Sequence, residues 1–325
     1  MNAAGSLYFA DEGYRNWQKN LVEPYLKQYR KYGCFHSYDG AVIFYQQYLN
    51  AEADTCIVIS HGFSEFAEKY NEVIYYFLQQ GCSVYILEHR GHGYSEREVS
   101  DDQKVYIRDF EDYIKDLDCF MKKMNYRMER HRILFAHSMG GAVAARYIEE
   151  HPEVFERAIL SSPMFRIQTG KYPWWAAKMT AAFYVKTKRG DRYAAGQSGF
   201  SGRPDFEHSS CISRERYYYI FGQRLENSRY QTNGGTYGWL LASMKATEVL
   251  MQKKNLERIK IPVLIFIAGN DHMVDNRAIA VFANHVDTAS LVCMPASKHE
   301  IFNADYKTRC RYYHEIFNFI MKNRG

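Results

Sequence analysis

Short apolar runs rich in β-branched residues alternate along this chain with longer amphipathic stretches, and this alternation limits the folds that it can adopt. Runs of this kind are typical of buried strands, and the stretches between them have the periodicity of helices. A sheet whose successive strands are separated by helices is mostly parallel. The predicted strands are Cys56–Ser60, Val84–Glu88, Ile133–Ala136, Ala158–Leu160, Val263–Ala268 and Leu291–Met294. We therefore predict an α/β fold with helices on both faces of a mostly parallel sheet.

The remaining periodic segments complete this layout. Ala41–Leu49 alternates in polarity and is predicted to be an antiparallel edge strand. The predicted helices are Ala67–Gln80, Val105–Met124, Met139–Glu150, Arg277–His285 and a C-terminal helix from about Asp305 to Lys322.

Residues 165–254 break the alternation, because they are rich in aromatic and basic residues and contain no strand-like run. We predict a mainly helical insertion here that forms a lid over the carboxyl ends of the strands. The predicted organisation is a core of residues 1–164 and 255–325, with the lid of residues 165–254 between its two parts.

Charge and cysteine usage exclude several classes of protein. The net charge of +5 comes from 42 basic and 37 acidic residues, which gives no argument for a nucleic-acid partner but is compatible with an anionic membrane surface. The seven cysteines show no metal-like grouping and fit free thiols in a reducing compartment. No signal peptide is evident, and no apolar run approaches the about 20 residues of a membrane span. We therefore expect a cytoplasmic protein, with peripheral contact to the inner face of the membrane left open.

A sharp turn between a predicted strand and a predicted helix carries the candidate nucleophile. The run Ala136-His137-Ser138-Met139-Gly140-Gly141 fits a nucleophile elbow, in which a serine hydroxyl is exposed at the end of a strand. Small residues are needed beside the serine because two backbone segments approach closely there. The usual pattern has Gly where this chain has Ala136, which is a minor departure. Ser138 is the predicted nucleophile.

The acid and the base of a serine triad follow the nucleophile in chain order in this type of fold. Asp271 lies in the turn after a late predicted strand and is the predicted acid. Asp275, one helical turn further on, is the alternative, although its position favours a helix N-cap. His299 follows the last predicted strand and is the predicted base. Two other histidines beside these residues, to which we assign packing or loop roles, are His137 and His272.

The loop after the first buried parallel strand is the predicted site of oxyanion binding. Gly62 allows a turn that aims the next amide into the site. The two predicted donors are the backbone N–H groups of Phe63 and Met139. The nearby run His89-Arg90-Gly91-His92-Gly93 is predicted to brace this loop and to have no catalytic role.

These motifs together resemble a known family. His61-Gly62, the run from Glu88 to Ser95, and the elbow at Ser138 are similar to the lysophospholipase and monoacylglycerol lipase branch of the α/β-hydrolases, from about Asp39 to the C-terminus. Further segments resemble the bacterial lysophospholipases most closely, namely Phe110-Glu111-Asp112-Tyr113, Ser162-Pro163-Met164-Phe165 and Gly234-Gly235-Thr236-Tyr237-Gly238-Trp239. The resemblance implies hydrolysis of an acyl ester of a lysophospholipid or a similar lipid without a cofactor. Transfer of the acyl group to another acceptor stays open.

A lid bearing aromatic residues would supply the apolar channel that a long acyl chain needs. Trp174, Trp175 and Trp239 are the predicted substrate contacts, and Trp174 and Trp175, with Lys171 and Lys178, also suit a lipid–water interface. The alternative is that these aromatic side chains pack against the domain beneath them. Three arginines of this segment are interpreted by default as part of solvated helix faces, and contact with a phosphate is the alternative. They are Arg214, Arg216 and Arg224.

Three alternatives compete with a lysophospholipase function. A peptidase on the same fold would need an acidic group for a free amine, for which the lid offers Glu207, Glu215 and Glu226. A non-catalytic binding protein with a hydrolase-like fold usually lacks one member of the triad, whereas this chain has a candidate for each. A monoacylglycerol lipase or esterase is the third alternative and shares the mechanism.

Overall fold

The predicted strands come together in one sheet in the computed structural model, which describes residues 8–124 and 129–321. Its eight strands are arranged in the order β1-β2-β4-β3-β6-β7-β9-β10. Their bounds are Arg30–His36 (β1), Val42–Tyr48 (β2), Thr55–Ser60 (β3), Ser83–Leu87 (β4), His131–His137 (β6), Arg157–Ser161 (β7), Val263–Ala268 (β9) and Ala289–Met294 (β10). All six predicted parallel strands are confirmed, with ends that differ by at most two residues. The prediction of an α/β fold with a mostly parallel sheet is therefore confirmed.

Helices connect these strands. Their bounds are Tyr14–Trp17 (α1), Glu23–Tyr29 (α2), Asn71–Gln79 (α3), Glu111–Met124 (α4), Met139–Glu150 (α5), Trp174–Lys186 (α6), Arg214–Glu226 (α7), Tyr237–Leu250 (α8), Lys253–Leu256 (α9), Asn276–His285 (α10) and Tyr306–Met321 (α11). A π-helical stretch, Gln18–Val22, joins α1 to α2, and the 3₁₀ turns are Ala67–Tyr70, Ser228–Tyr230 and Ile301–Asn303. Lys322, the predicted end of the last helix, lies outside the described residues.

Two details of the prediction are wrong. The predicted edge strand at Ala41–Leu49 is antiparallel, but it pairs on both sides, because β1 covers its outer edge. The predicted helix Val105–Met124 begins only at Glu111, since Lys104–Val105 (β5) forms a short strand that pairs with Gly234–Gly235 (β8). The partner β8 is remote in sequence from β5, whereas β1 directly precedes β2 in the chain and was not predicted as a strand.

The core lies in two layers, one on each face of the sheet. Successive residues of a strand point to opposite faces, so Val58 belongs to one buried cluster and its neighbour Ile57 belongs to the other. Side chains of α4, α5, α8 and α10 fill the first cluster, and those of α2, α3 and α11 fill the second. Both faces of the central strands are thus covered, which leaves their carboxyl ends as the accessible edge of the sheet.

Residues 165–254, called here the intervening segment, connect β7 to β9 and contain α6, α7 and α8. Arg216 of α7 is fully buried and pairs with Glu72 of α3, with 2.8 Å between Nη2 and Oε1. The default interpretation of Arg216 as part of a solvated helix face is therefore wrong, whereas Arg214 two residues earlier is exposed. An arginine in a helix faces water or a distant acid depending on which side of the helix packs, and the local sequence does not determine that.

Two further predictions concern the whole chain, namely that its cysteines are free thiols and that no segment is long and apolar enough to span a membrane. All seven cysteines lie among the described residues, and none of them forms a disulfide. Within residues 8–124 and 129–321, no helix has both the length and the hydropathy that a bilayer crossing requires.

Candidate active site

The turn between β6 and α5 has the backbone geometry that the elbow motif predicts. Ser138 has φ 51° and ψ −118°, a strained combination for a residue with a side chain. A Cβ atom at Gly140 would lie 2.1 Å from the carbonyl oxygen of Ser60, so only glycine fits where α5 passes β3. The departure at Ala136 is accommodated, because its methyl group is fully buried in the core.

The structure brings together the three residues predicted to form a triad. Nε2 of His299 lies 2.8 Å from Oγ of Ser138, and Nδ1 lies 2.6 Å from Oδ2 of Asp271. Asp271 follows β9 and His299 follows β10, and these parallel strands place both loops at the same edge as the elbow. The imidazole thus connects the hydroxyl to the carboxylate.

Asp271 is held as a carboxylate by its neighbours. Burial alone would raise its pKa, but the hydrogen bond with His299 and two backbone amides outweigh burial and hold the pKa below its ordinary value. These amides belong to Met273 and Val274 and donate to Oδ1 at 2.8 and 3.1 Å. Asp275, the alternative acid, accepts from the amide of Arg277 and caps α10 instead.

The two predicted oxyanion donors are the backbone amide of Phe63, in the loop after β3, and that of Met139, directly after Ser138. Met139 is the first residue of α5, whose N-terminal end carries a partial positive charge. Neither the Met139 amide nor the Phe63 amide has a hydrogen-bond acceptor within residues 8–124 and 129–321. The neighbouring amide of Gly62 donates to Oε2 of Glu65 at 2.6 Å, which fixes the loop that carries Phe63.

Glu65 belongs to a buried ion cluster that the sequence did not reveal. The ammonium group of Lys69 lies 2.7 Å from Glu65 and 2.8 Å from Glu300, the residue that follows His299. One lysine therefore ties the loop of Phe63 to the loop of His299. The available signal was position, since both glutamates lie within three residues of a predicted site residue.

Three buried histidines brace the same loop, as predicted for His89 and His92, whereas Arg90 pairs with Asp39 and Asp116 instead. His61 accepts a hydrogen bond from the amide of His89 at 2.9 Å, and its ring packs against that of His92. Burial is the main cause that lowers the pKa of His61 to about 4 and the pKa of His92 to about 3. These imidazoles are therefore neutral at physiological pH. His137, beside the nucleophile, packs its ring 4.8 Å from that of His299.

The three tryptophans predicted as substrate contacts lie in different places. Trp239 is buried and packs 4.4 Å, centroid to centroid, against Phe63 of the oxyanion loop. Trp174 packs beneath the guanidinium of Arg166. Trp175 is 65% exposed on α6. Only Trp239 therefore contacts a residue of the candidate site.

The described residues also include no cluster of three or more His, Cys, Asp or Glu side chains arranged to hold a metal ion. A neutral hydroxyl, an imidazole and a buried carboxylate in hydrogen-bonded series form a base-activated nucleophile. Backbone amides without an acceptor, such as those of Phe63 and Met139, can stabilise an oxygen on which negative charge develops.

Comparison with known proteins agrees with this geometry. A family model, Hydrolase_4, described as "Serine aminopeptidase, S33", matches residues 51–305. The chain belongs to this family. Within the Hydrolase_4 match lie the elbow, both partner residues and the whole intervening segment.

Curated relatives match the chain over different lengths. Lysophospholipase L2 of Escherichia coli (strain K12) is 27% identical over 280 residues, which is 84% of this chain and 82% of that protein. Monoacylglycerol lipase of Mycolicibacterium smegmatis is 31% identical over 118 residues, covering 36% of this chain and 40% of that protein.

Solved structures show the same fold at low sequence identity. A thermostable carboxyl esterase from Bacillus coagulans superposes with a TM-score of 0.73 at 17% identity, covering 90% of this chain and 97% of the esterase. The chain is therefore a hydrolase with the α/β-hydrolase fold.

Proposed function

We propose that this protein is a lysophospholipase that releases a fatty acid through an acyl-enzyme on Ser138. The observation that carries the proposal is the His299 imidazole, which lies within hydrogen-bond distance of both Ser138 and Asp271. Relatives named as lysophospholipase and monoacylglycerol lipase support a lipid ester as the substrate. A lysophospholipase relative aligned over more than four-fifths of the chain favours the phospholipid over the monoacylglycerol.

In the proposed acylation step, His299 takes the proton of the Ser138 hydroxyl as its oxygen attacks the ester carbonyl. The carbonyl oxygen becomes an oxyanion, to which the amides of Phe63 and Met139 donate hydrogen bonds. Asp271 fixes the imidazole tautomer and stabilises the imidazolium. The imidazolium then gives its proton to the leaving alkoxide, the glycerol part of the lipid.

Deacylation repeats this chemistry with water as the nucleophile. His299 takes a proton from water, the hydroxide attacks the acyl-enzyme, and the fatty acid leaves while Ser138 regains its proton. Another alcohol in place of water would give acyl transfer at the same site.

The test compares wild type with Ser138→Ala on three substrates, a lysophospholipid, a monoacylglycerol with the same acyl chain, and an aminoacyl amide. We expect the lysophospholipid to be hydrolysed fastest, and Ser138→Ala to lower kcat by about 10⁴- to 10⁶-fold, because the acyl group has no other acceptor. The measurements are fatty-acid and amine release, with circular dichroism to verify folding.

Labelling with a fluorophosphonate tests Ser138 as the nucleophile independently of which substrate the enzyme hydrolyses. Wild type and the control Ser290→Ala, which alters an exposed serine of β10, should be labelled, and Ser138→Ala should not. Labelling without lysophospholipid hydrolysis would refute the substrate, and preference for the amide would favour the aminopeptidase that the family description names. Labelling of Ser138→Ala would refute the nucleophile.

We further propose that the intervening segment acts as a lid whose helix α6 docks on an anionic membrane surface. Three exposed apolar side chains recur along α6 at a spacing of four residues and form one stripe, namely Trp175, Met179 and Phe183. Exposed basic residues lie at the two ends of the helix, namely Lys171, Lys186, Lys188 and Arg189. An apolar face with flanking cations matches the acyl–headgroup boundary of an anionic bilayer.

A further inference from the structure

A cavity of about 330 Å³ lies between the intervening segment and the core, beside the candidate active site. From the core, Lys69 and Glu300 line it, and Glu300 directly follows His299. From the intervening segment come α7, the loop before it and Asn233. The carbonyl of Asn233 accepts from the Ser64 hydroxyl at 2.7 Å, in the loop that carries the Phe63 amide. The cavity is therefore lined by the residue that follows the proposed base and by a residue bonded to the loop of the proposed oxyanion donor.

The charges that line this cavity do not balance. Glu300 is paired with Lys69 at 2.8 Å, and Asp205 lies 3.0 Å from a ring nitrogen of His208. Arg203 and Arg224 also line the cavity, and within the described parts of the chain neither has a carboxylate partner. Neither guanidinium therefore has a carboxylate within ion-pair distance, although the charge of Glu300 acts on Arg224 from further away.

Arg224 is held in place entirely by neutral groups. Its Nε donates to the carbonyl of Tyr230 at 3.1 Å, and Nη2 donates to the carbonyl of Thr232 and to Oδ1 of Asn233. The guanidinium packs over the ring of Phe200, 4.4 Å from its centroid. Burial lowers the pKa of Arg224 to about 10, so the group remains a cation at neutral pH. A half-buried cation with no carboxylate in direct contact carries a desolvation cost that a bound anion would offset.

Arg216, on the same helix, shows that the fold can supply a partner for a buried arginine. Its guanidinium contacts Glu72 and Asp11, both from the N-terminal third of the chain. Arg224 lies about two turns further along α7 and faces the cavity instead. The lack of a carboxylate in direct contact is therefore a local property of the cavity and not of the helix.

We propose that Arg224 binds the phosphate group of the lysophospholipid substrate in this cavity, with Arg203 at its rim as a second cation. The Nε and Nη2 hydrogens of Arg224 are already donated to protein acceptors, so its Nη1, for which the described residues supply no acceptor, donates to the phosphate oxygens. The proposal rests on the proposed function and extends it, because a phosphate site beside the triad selects a lysophospholipid over a monoacylglycerol.

The experiment measures kcat and KM for lysophosphatidylethanolamine and for a monoacylglycerol with the same short acyl chain, both below their micellar concentrations. Arg224→Gln should raise KM for the lysophospholipid about 10- to 100-fold, the range for a lost hydrogen bond to a charged group. The same variant should leave the monoacylglycerol constants unchanged. Arg224→Lys should restore part of the loss, and the control Arg258→Gln, which removes an equal but exposed charge, should have no effect.

An equal loss on both substrates would overturn the proposal, since Arg224 would then only shape the intervening segment. A second experiment measures whether inorganic phosphate inhibits monoacylglycerol hydrolysis. Inhibition that Arg224→Gln abolishes, with no change in the lysophospholipid KM, would identify a site for free phosphate and refute head-group binding. Failure of the proposed function appears in wild type, as absent lysophospholipid hydrolysis, whereas failure of this proposal appears only in the comparison of variant with wild type.

Discussion

The carboxyl edge of the sheet and the intervening segment are stabilised by different kinds of contact. At the edge, the Ser138 turn is fixed by glycines beside it in sequence, because backbone from β3 leaves no room for a side chain at Gly140. In the intervening segment, helix α7 is fixed by contacts with residues more than a hundred positions away, such as that of Arg216 with Glu72. Local constraint makes the first region predictable from short motifs. Long-range pairing makes the second region depend on the whole fold.

The largest expected effect tests which aspartate is the acid of the triad at the carboxyl edge of the sheet. Asp271→Asn should lower kcat on a soluble ester by about 10⁴-fold, because an amide no longer holds the productive imidazole tautomer. Asp275→Asn should leave kcat unchanged, since Asp275 caps α10 and Asn caps a helix equally well. Steady-state kinetics of both variants would contradict the assignment if Asp275→Asn caused the larger loss.

The sequence predicted the candidate site better than its surroundings, for physical reasons. Strand–turn–helix patterns gave the elbow at Ser138, and chain order gave Asp271 and His299, because parallel strands bring successive loops to one edge. The pairing of β5 with β8 was missed, since two-residue strands have no periodicity. The cluster of Lys69 with two glutamates was missed as well, because each member alone has the sequence character of a surface charge.

The second prediction tests the long-range contacts of the intervening segment. Arg216→Met should lower the free energy of unfolding by about 3 to 5 kcal/mol, because it leaves the buried carboxylate of Glu72 with one cation fewer. Arg214→Met alters an exposed arginine two residues away and should change stability by less than about 0.5 kcal/mol. Denaturant unfolding measures both. Equal values would mean that the ion pair does not fix α7 to the core.

The third prediction concerns pH and the buried histidines at the edge. An unfolded histidine titrates near pH 6.5, whereas burial lowers the pKa of His61 to about 4 and of His92 to about 3. Between these values the unfolded chain binds protons that the native state excludes, so stability rises with pH there. The contribution is fully present above about pH 6.5 and is lost as the pH falls towards 4. For His61 alone it amounts to roughly 3 kcal/mol.

Unfolding in denaturant at pH 7.5, 6 and 5 measures this dependence. His92→Gln should flatten it, whereas His314→Gln, which alters an exposed histidine of α11, should leave it unchanged. A wild-type free energy of unfolding that is constant over this range would show that the imidazoles are not excluded from protonation.

The smallest expected effect tests the outer surface of the intervening segment. Trp175→Ser with Phe183→Ser should weaken binding to vesicles of phosphatidylglycerol and phosphatidylcholine by about tenfold or more, because two aromatic side chains no longer leave water. Catalysis on a soluble ester should not change, since neither residue contacts the triad. Tyr32→Ser with Leu225→Ser removes two comparably exposed apolar side chains elsewhere and serves as the matched control. Sedimentation with the vesicles measures binding.

The dependence of vesicle binding on salt and lipid composition separates the contribution of the cations from that of the apolar stripe. Binding through the cations at the ends of α6 should weaken between 0.05 and 0.5 M salt, as screening predicts, and should be weaker on vesicles of phosphatidylcholine alone, at about the same bulk lipid concentration. If the control pair reduced binding as much as the α6 pair, no particular face would dock, and the stripe would be an ordinary exposed surface. If only the α6 pair did so, the intervening segment would join a membrane-facing surface to a phosphate-binding cavity. The carboxyl edge would then supply chemistry common to the fold, and the segment would supply the selection of the substrate.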